Sequence, residues 1–181
     1  MRVLLHVCCA PCSIHPLREL LKYKSGHITG FFYNPNIHPA GEYEKRRTAL
    51  IEYSKDAHFD VVFGKYEPEV FFSKISTRTQ APERCKLCWQ MRLEKTAESA
   101  KTGGFDAFTS TLLVSPYQDQ EEIIRIGSEF GKRFGVEFIS RNFRGGFREA
   151  QEEAKTRALY RQKYCGCVFS EKERSEKRCR K

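Results

Sequence analysis

Short apolar runs alternate with helical patterns along almost the whole chain, and this alternation restricts the fold more than any other feature. Strands separated by helices must be joined by crossover connections, and strands joined in that way lie parallel. Val3–Val7 has the compact apolar character of a buried strand, and Ile28–Tyr33, Phe59–Phe63, Phe105–Thr109 and Val136–Ser140 add four more. Helical patterns fill the gaps: His15–Lys24 with its leucines at helical spacing, then Glu42–Ala57, Glu67–Ser76, Glu83–Lys101, Gln118–Phe134 and a last helix from Gly146 to Gln162. Gly26, Asn34-Pro35 and Gly103-Gly104 supply the stops. The pattern predicts one α/β domain over residues 1–170, a Rossmann-like parallel sheet of five strands flanked by helices, followed by a basic C-terminal tail over 171–181. A length of 181 residues suits one such domain rather than two.

Ligands of open parallel sheets bind beyond the carboxyl ends of the strands. Those ends carry Cys8-Cys9, Tyr33-Asn34 and Ser110-Thr111, so sulfur and polar groups gather at one edge. The loop after the first strand, His6-Val7-Cys8-Cys9-Ala10-Pro11-Cys12-Ser13, has no glycine and therefore lacks the flexible backbone that cradles phosphates, which counts against nucleotide-dependent chemistry. The start of the chain is too short and polar for a signal peptide, and no stretch is apolar enough to span a bilayer. A cytoplasmic location with no membrane partner is expected. The formal net charge of +9 favours polyanionic partners, nucleic acid first, although much of the excess sits in the tail from Lys172 to Lys181.

Eight cysteines in a cytoplasmic chain point to metal binding or redox chemistry rather than to a disulfide framework. They fall into groups. Cys85 and Cys88 form a C-x-x-C at the start of a helix, where the helix amino end favours thiolates and the spacing lets two of them converge on one metal. Cys8, Cys9 and Cys12 place three thiols within five residues at a strand terminus. Adjacent cysteines fit a tetrahedral zinc site poorly, whereas a cuboidal cluster accepts ligands from more varied directions; zinc nevertheless stays open. Cys165-Gly166-Cys167 can close only a tight, reducible disulfide, so this pair is a redox couple or a further set of metal ligands. Cys179 lies in the basic tail with no partner motif.

At this point the chain resembles the QueH type of epoxyqueuosine reductase. The resemblance rests on Leu5-His6-Val7-Cys8-Cys9-Ala10-Pro11-Cys12, on Phe32-Tyr33-Asn34-Pro35-Asn36-Ile37-His38-Pro39, on Arg84-Cys85-Lys86-Leu87-Cys88, on Ser110 to Asp119, on Asn142-Phe143-Arg144 and on Tyr160 to Ser170. It implies reductive deoxygenation of epoxyqueuosine to queuosine at the tRNA wobble position, without cobalamin. It also implies a 4Fe–4S cluster on Cys8, Cys9, Cys85 and Cys88 and a redox-active disulfide pair at Cys165 and Cys167. Removing the epoxide oxygen takes two electrons and two protons, and one cluster passes one electron at a time. The second electron comes either from the Cys165/Cys167 dithiol or from one additional mononuclear iron, for which Cys12, Cys165, Cys167 and Asp119 are spare ligands. Tyr117, Asp119 and His6 are the candidate proton donors, with a helix cap as the bland alternative for Asp119. Arg141, Arg144, Arg148 and the tail are candidates for RNA phosphates, and Phe143 and Phe147 either stack on a base or belong to the core. The electron donor is not readable from sequence. The rival functions are a zinc-stabilised nucleic-acid-binding module without catalysis and a nucleotide-dependent tRNA sulfur transferase.

Overall fold

A computed structural model describes residues 1–23 and 26–179. Five strands, β1 (Arg2–His6), β2 (His27–Phe32), β3 (Asp60–Phe63), β4 (Ala107–Ser110) and β5 (Glu137–Phe138), form one parallel sheet in the order β3-β2-β1-β4-β5. The chain winds outward from β1 to β3, crosses back to β4 and continues to β5, so the strand order reverses between β1 and β4. This is the switch point at which such sheets bind ligands. His6 is in register with Phe31 on one side and Ser110 on the other, so its side chain sits at that crevice.

Seven α-helices accompany the sheet: α1 (Ala10–Tyr23), α2 (Ala40–Asp56), α3 (Pro68–Ile75), α4 (Glu83–Thr102), α5 (Gln120–Phe134), α6 (Phe147–Thr156) and α7 (Val168–Cys179). With right-handed crossovers, α1 and α2 cover one face and α4 and α5 the other. The helix contacts agree, with α1 against α2 and α6, and α4 against α5. Strand side chains are buried on both faces, as a parallel sheet requires: Leu5, Phe32 and Phe108 are all fully buried. No helix is long and apolar enough to cross a membrane among the described residues.

Most boundaries shift by one to three residues, and three differences matter for the site. Helix α1 begins at Ala10 rather than His15, because Pro11 in a first turn forfeits no intrahelical hydrogen bond; Lys24 lies outside the described residues. Helix α6 stops at Thr156 rather than Gln162. Ala158 adopts a left-handed φ of 54°, and Leu159 N–H reaches Ala154 O at 2.9 Å while Ala158 N–H reaches Lys155 O at 3.0 Å. That is a Schellman closure made by an alanine where a glycine would have announced it. The chain is thereby freed to run irregularly from Leu159 to Cys167. Beyond it, the expected boundary at residue 171 falls inside α7, which carries most of the expected basic tail.

Candidate metal centre

Val7 is the last residue that the sheet holds. Its N–H donates to Phe31 O at 2.9 Å, and its carbonyl accepts from Asn34 Nδ2 at 2.8 Å. The chain then turns directly into α1, which leaves Cys8 and Cys9 in the turn and Cys12 on the first helical turn. Their three sulfurs lie within 4.8 Å of one another, the only such group of metal-ligating side chains among the described residues. Thr111 Oγ1, just past β4, accepts from Cys8 N–H at 3.1 Å and donates to Cys8 Sγ at 3.3 Å. Hydrogen bonds from the Cys12 and Cys9 thiols and from Thr111 hold Cys8 well below the ordinary thiol range. Burial pushes Cys9 up, and hydrogen bonding to Cys8 does the same to Cys12. The loop thus favours the thiolate at Cys8 over Cys9 and Cys12, a soft sulfur donor set at the positive end of a helix.

Cys85 and Cys88 sit on the first two turns of α4. Burial pushes the Cys88 thiol up to about 12, opposed by Arg92, and burial likewise raises Cys85, opposed by Arg84. Cys165 and Cys167 are near enough to act on both electrostatically. Cys165 is also within electrostatic reach of Cys8, so it stands between the early and the mid-chain thiols. A cavity of about 710 Å³ opens beside Cys165, lined by Cys8, Cys12, Arg92, Tyr117, Gln118 and Cys165 among others, with Cys85 and Cys88 outside its lining. All eight cysteines are free thiols; in the expected redox pair Cys165 is exposed and Cys167 buried.

Local chemistry fixes the irregular segment that carries this pair. Gly166 has φ 145°, a conformation that side-chain-bearing residues rarely adopt, and its carbonyl accepts from His38 N–H at 2.8 Å. Arg46, almost wholly buried on α2, donates from Nη1 to Cys165 O and from Nη2 to Tyr164 O, both at 3.0 Å, and pairs with Glu42 at 2.8 Å. The Tyr160 hydroxyl donates to Glu42, and that of Tyr164 to His38 O at 2.5 Å. Trp89 Nε1 donates to Gln118 Oε1 at 2.9 Å, which orients the amide so that Gln118 Nε2 lies 3.6 Å from Cys165 Sγ.

A family model described as Epoxyqueuosine reductase QueH matches residues 3–173. The chain belongs to the epoxyqueuosine reductase QueH family. Epoxyqueuosine reductase QueH of Thermotoga maritima is 38% identical across 97% of this chain and 93% of its own length. That of Dehalococcoides mccartyi is 33% identical across 96% and 94%. Among solved structures, the U34-tRNA thiolase NcsA from Methanococcus maripaludis with its [4Fe-4S] cluster has a TM-score of 0.62 at 14% identity over 94% of this chain, a likeness of fold alone; this chain spans 61% of its length.

In this QueH-family chain the expected site residues separate into several roles. His6 is completely buried, with Nδ1 2.9 Å from Ser110 Oγ and Nε2 3.3 Å from Tyr33 O. Burial, with Arg92 nearby, pushes its pKa down to about 3, so it ties three strand ends together as a neutral ring. Asp119 accepts from Glu122 N–H at 3.1 Å and caps α5, the bland alternative for it. Tyr117 is 84% exposed at the cavity mouth, edge-on to Phe147 at 6.0 Å. Phe143 has no exposed surface and belongs to the core, which removes it as a stacking platform, whereas Phe147 lines the cavity. Arg141 pairs with Glu19 at 2.8 Å, Arg144 Nη2 donates to Gln118 O at 2.5 Å, and Arg148 is exposed. Sequence reasoning missed Arg46, Arg92 and Gln118. A signal for the arginines was present, since Arg92 follows Cys88 and Arg46 follows Glu42 by four residues, the spacing that aligns side chains along one helix face.

Proposed function

We propose that this chain reduces epoxyqueuosine to queuosine at the wobble position of tRNA in the cytoplasm, with a 4Fe–4S cluster held by Cys8, Cys9, Cys85 and Cys88. The observation that carries this is a three-thiol group, Cys8, Cys9 and Cys12, at the sheet's switch point, with Cys165 lining the same cavity and Cys88 within electrostatic reach of the same Arg92, in a chain of the QueH family. A [4Fe-4S] cluster on the same fold in a tRNA thiolase supports it. The donor chemistry fits as well: Cys8, Cys9 and Cys12 offer sulfur alone, within a few ångströms, beside helix amino ends. Cys12 competes with the mid-chain pair as a ligand, since its sulfur already stands with Cys8 and Cys9. When bound, such a cluster supplies electrons singly.

The chain's own residues supply the rest. The reaction consumes two electrons and two protons per epoxide and yields an alkene and water. Cys165 and Cys167 serve as the two-electron store, passing from dithiol to disulfide as the epoxide is reduced; the alternative store is an additional mononuclear iron among Cys12, Cys165, Cys167 and Asp119. Gln118 and Arg46 hold Cys165 in place. Tyr117, the one ionisable hydroxyl exposed at the cavity mouth, is the proposed proton donor, with Asp119 beside it in sequence. Phe147 stacks on a splayed base. For phosphates, Arg148 and the rim residues Arg161, Lys163, Arg174 and Lys177 are placed better than Arg141 and Arg144, which already have internal partners.

The test is single-turnover reduction of an epoxyqueuosine-containing anticodon stem-loop by anaerobically reconstituted protein with a chemical reductant. Wild type converts substrate, and Cys165→Ser abolishes conversion with the visible cluster absorbance unchanged. Full activity in Cys165→Ser removes the pair from the mechanism, and loss of the absorbance makes Cys165 a ligand.

A further inference from the structure

Three arginines are almost wholly buried beside the thiols, and two have a carboxylate. Arg46 is paired with Glu42 at 2.8 Å and Arg84 with Glu173 at 2.8 Å. Arg92 is 1% exposed, lines the cavity, and has no carboxylate partner among the described residues. Its hydrogen bonds are long and to neutral groups: Nη1 to Asn34 Oδ1 and Nε to Cys88 O, both at 3.4 Å. Its Nη2 is buried with no hydrogen-bond partner at all. A guanidinium cannot shed its proton, so a buried one without a counterion is tolerated only where the site itself brings negative charge. The sulfurs within its electrostatic reach are Cys88, Cys165 and Cys8, one from each of the three thiol segments, and they bring negative charge to Arg92 when they bind metal as thiolates.

We propose that Arg92 is the positioning cation of the thiol centre, compensating the negative charge of the thiolate-bound cluster and setting its reduction potential. The inference rests on the cluster reading given above. Each electron added to a thiolate-ligated cluster adds negative charge in a medium of low dielectric, so a fixed cation there favours the reduced state and raises the potential. The location of Arg92 suits this: Cys88 and Arg92 occupy one face of α4 a turn apart, so the helix that presents a sulfur also presents the charge.

The experiment is a redox titration of the anaerobically reconstituted wild type, Arg92→Gln, Arg92→Lys and Asn34→Asp, followed by electron paramagnetic resonance and visible absorbance, with iron and labile sulfide measured on each. Arg92→Gln lowers the midpoint by at least tenfold in the one-electron equilibrium, about 59 mV. Arg92→Lys, which keeps the charge, recovers most of that shift. Asn34→Asp, which sets a carboxylate where Arg92 now has an amide, lowers the midpoint with Arg92 intact, so the proposal stays testable should Arg92→Gln fail to fold. Iron-loaded Arg92→Gln or Asn34→Asp with the wild-type midpoint overturns the role of Arg92 and leaves the cluster reading standing. Wild-type protein that takes up no iron and sulfide overturns the cluster reading itself, and this proposal with it.

Discussion

His6 shows how a single residue can be conspicuous in sequence and yet structural. It stands at the carboxyl end of β1 beside the cysteines, where a proton donor is wanted, but the sheet register lays it between Ser110 and the Tyr33 carbonyl with no route to solvent. Its folded pKa, about 3, lies below the unfolded value of 6.5, so as pH falls the unfolded chain takes up this proton first. Stability from this group is complete above pH 6.5 and is lost as pH falls towards 3. His6→Gln keeps a polar side chain and removes the titration, so the denaturant-derived stability of the variant falls less steeply below pH 6, by up to about 1.4 kcal/mol per pH unit. Parallel pH profiles for the two proteins would show that His6 is protonated without penalty in the fold. The cysteines, by contrast, were legible one by one, because sulfur at a strand end has few structural uses. Their local grouping was legible too: spacing pairs Cys85 with Cys88 and sets Cys12 with Cys8 and Cys9, which the early start of α1 at Ala10 brings within 4.8 Å of one another.

At the scale of elements, helices with conventional ends were read nearly to the residue. Helix α4 was expected over Glu83–Lys101 and spans Glu83–Thr102, stopped by Gly103; α5 ends at Gly135, whose φ of 66° makes it a left-handed cap. Where the stop is Ala158, nothing in composition marks it, and the expected helix ran on through the segment that positions Cys165. The cap of α5 separates two roles for Asp119. Asp119→Ala lowers stability by about 1 kcal/mol, while Asp119→Asn, an equally good cap, leaves thermal unfolding unchanged. Retained reductase activity in Asp119→Asn confines the residue to capping, and loss of activity at unchanged melting temperature assigns it to the chemistry. Helix α7 was hidden for the opposite reason. It buries none of its residues, so no apolar stripe distinguishes it from a charged tail. It is held through Glu173, which pairs with the buried Arg84, and this places Arg174 and Lys177 on the cavity rim.

The whole molecule places its charge around its chemistry. The net charge of +9 suggested a polyanionic partner, and the cavity mouth concentrates part of it in Arg161, Lys163, Arg174 and Lys177 beside the exposed Tyr117. With these four cations neutralising three to four phosphates of a single-stranded loop, the logarithm of affinity for the stem-loop falls with the logarithm of salt concentration with a slope of roughly −2 to −3. A slope near zero in a fluorescence-anisotropy titration would leave the positive charge without this role. The parallel sheet itself was fully legible, because alternation of strands and helices leaves little choice of topology. What no local pattern encodes is the meeting of segments: that the turn after β1, Arg92 of α4 and the irregular run before α7 line one cavity follows only from the crossover to β4. The proposed iron–sulfur cluster between these segments is tested by iron and acid-labile sulfide in anaerobically purified protein, with the electron paramagnetic resonance spectrum of its reduced form. At least about four iron and four sulfide per chain are expected, falling sharply in Cys8→Ser and Cys88→Ser; a comparable loss in Cys12→Ser with Cys88→Ser unchanged makes Cys12 the ligand in place of the mid-chain pair. Stoichiometric zinc without labile sulfide would contradict the cluster reading.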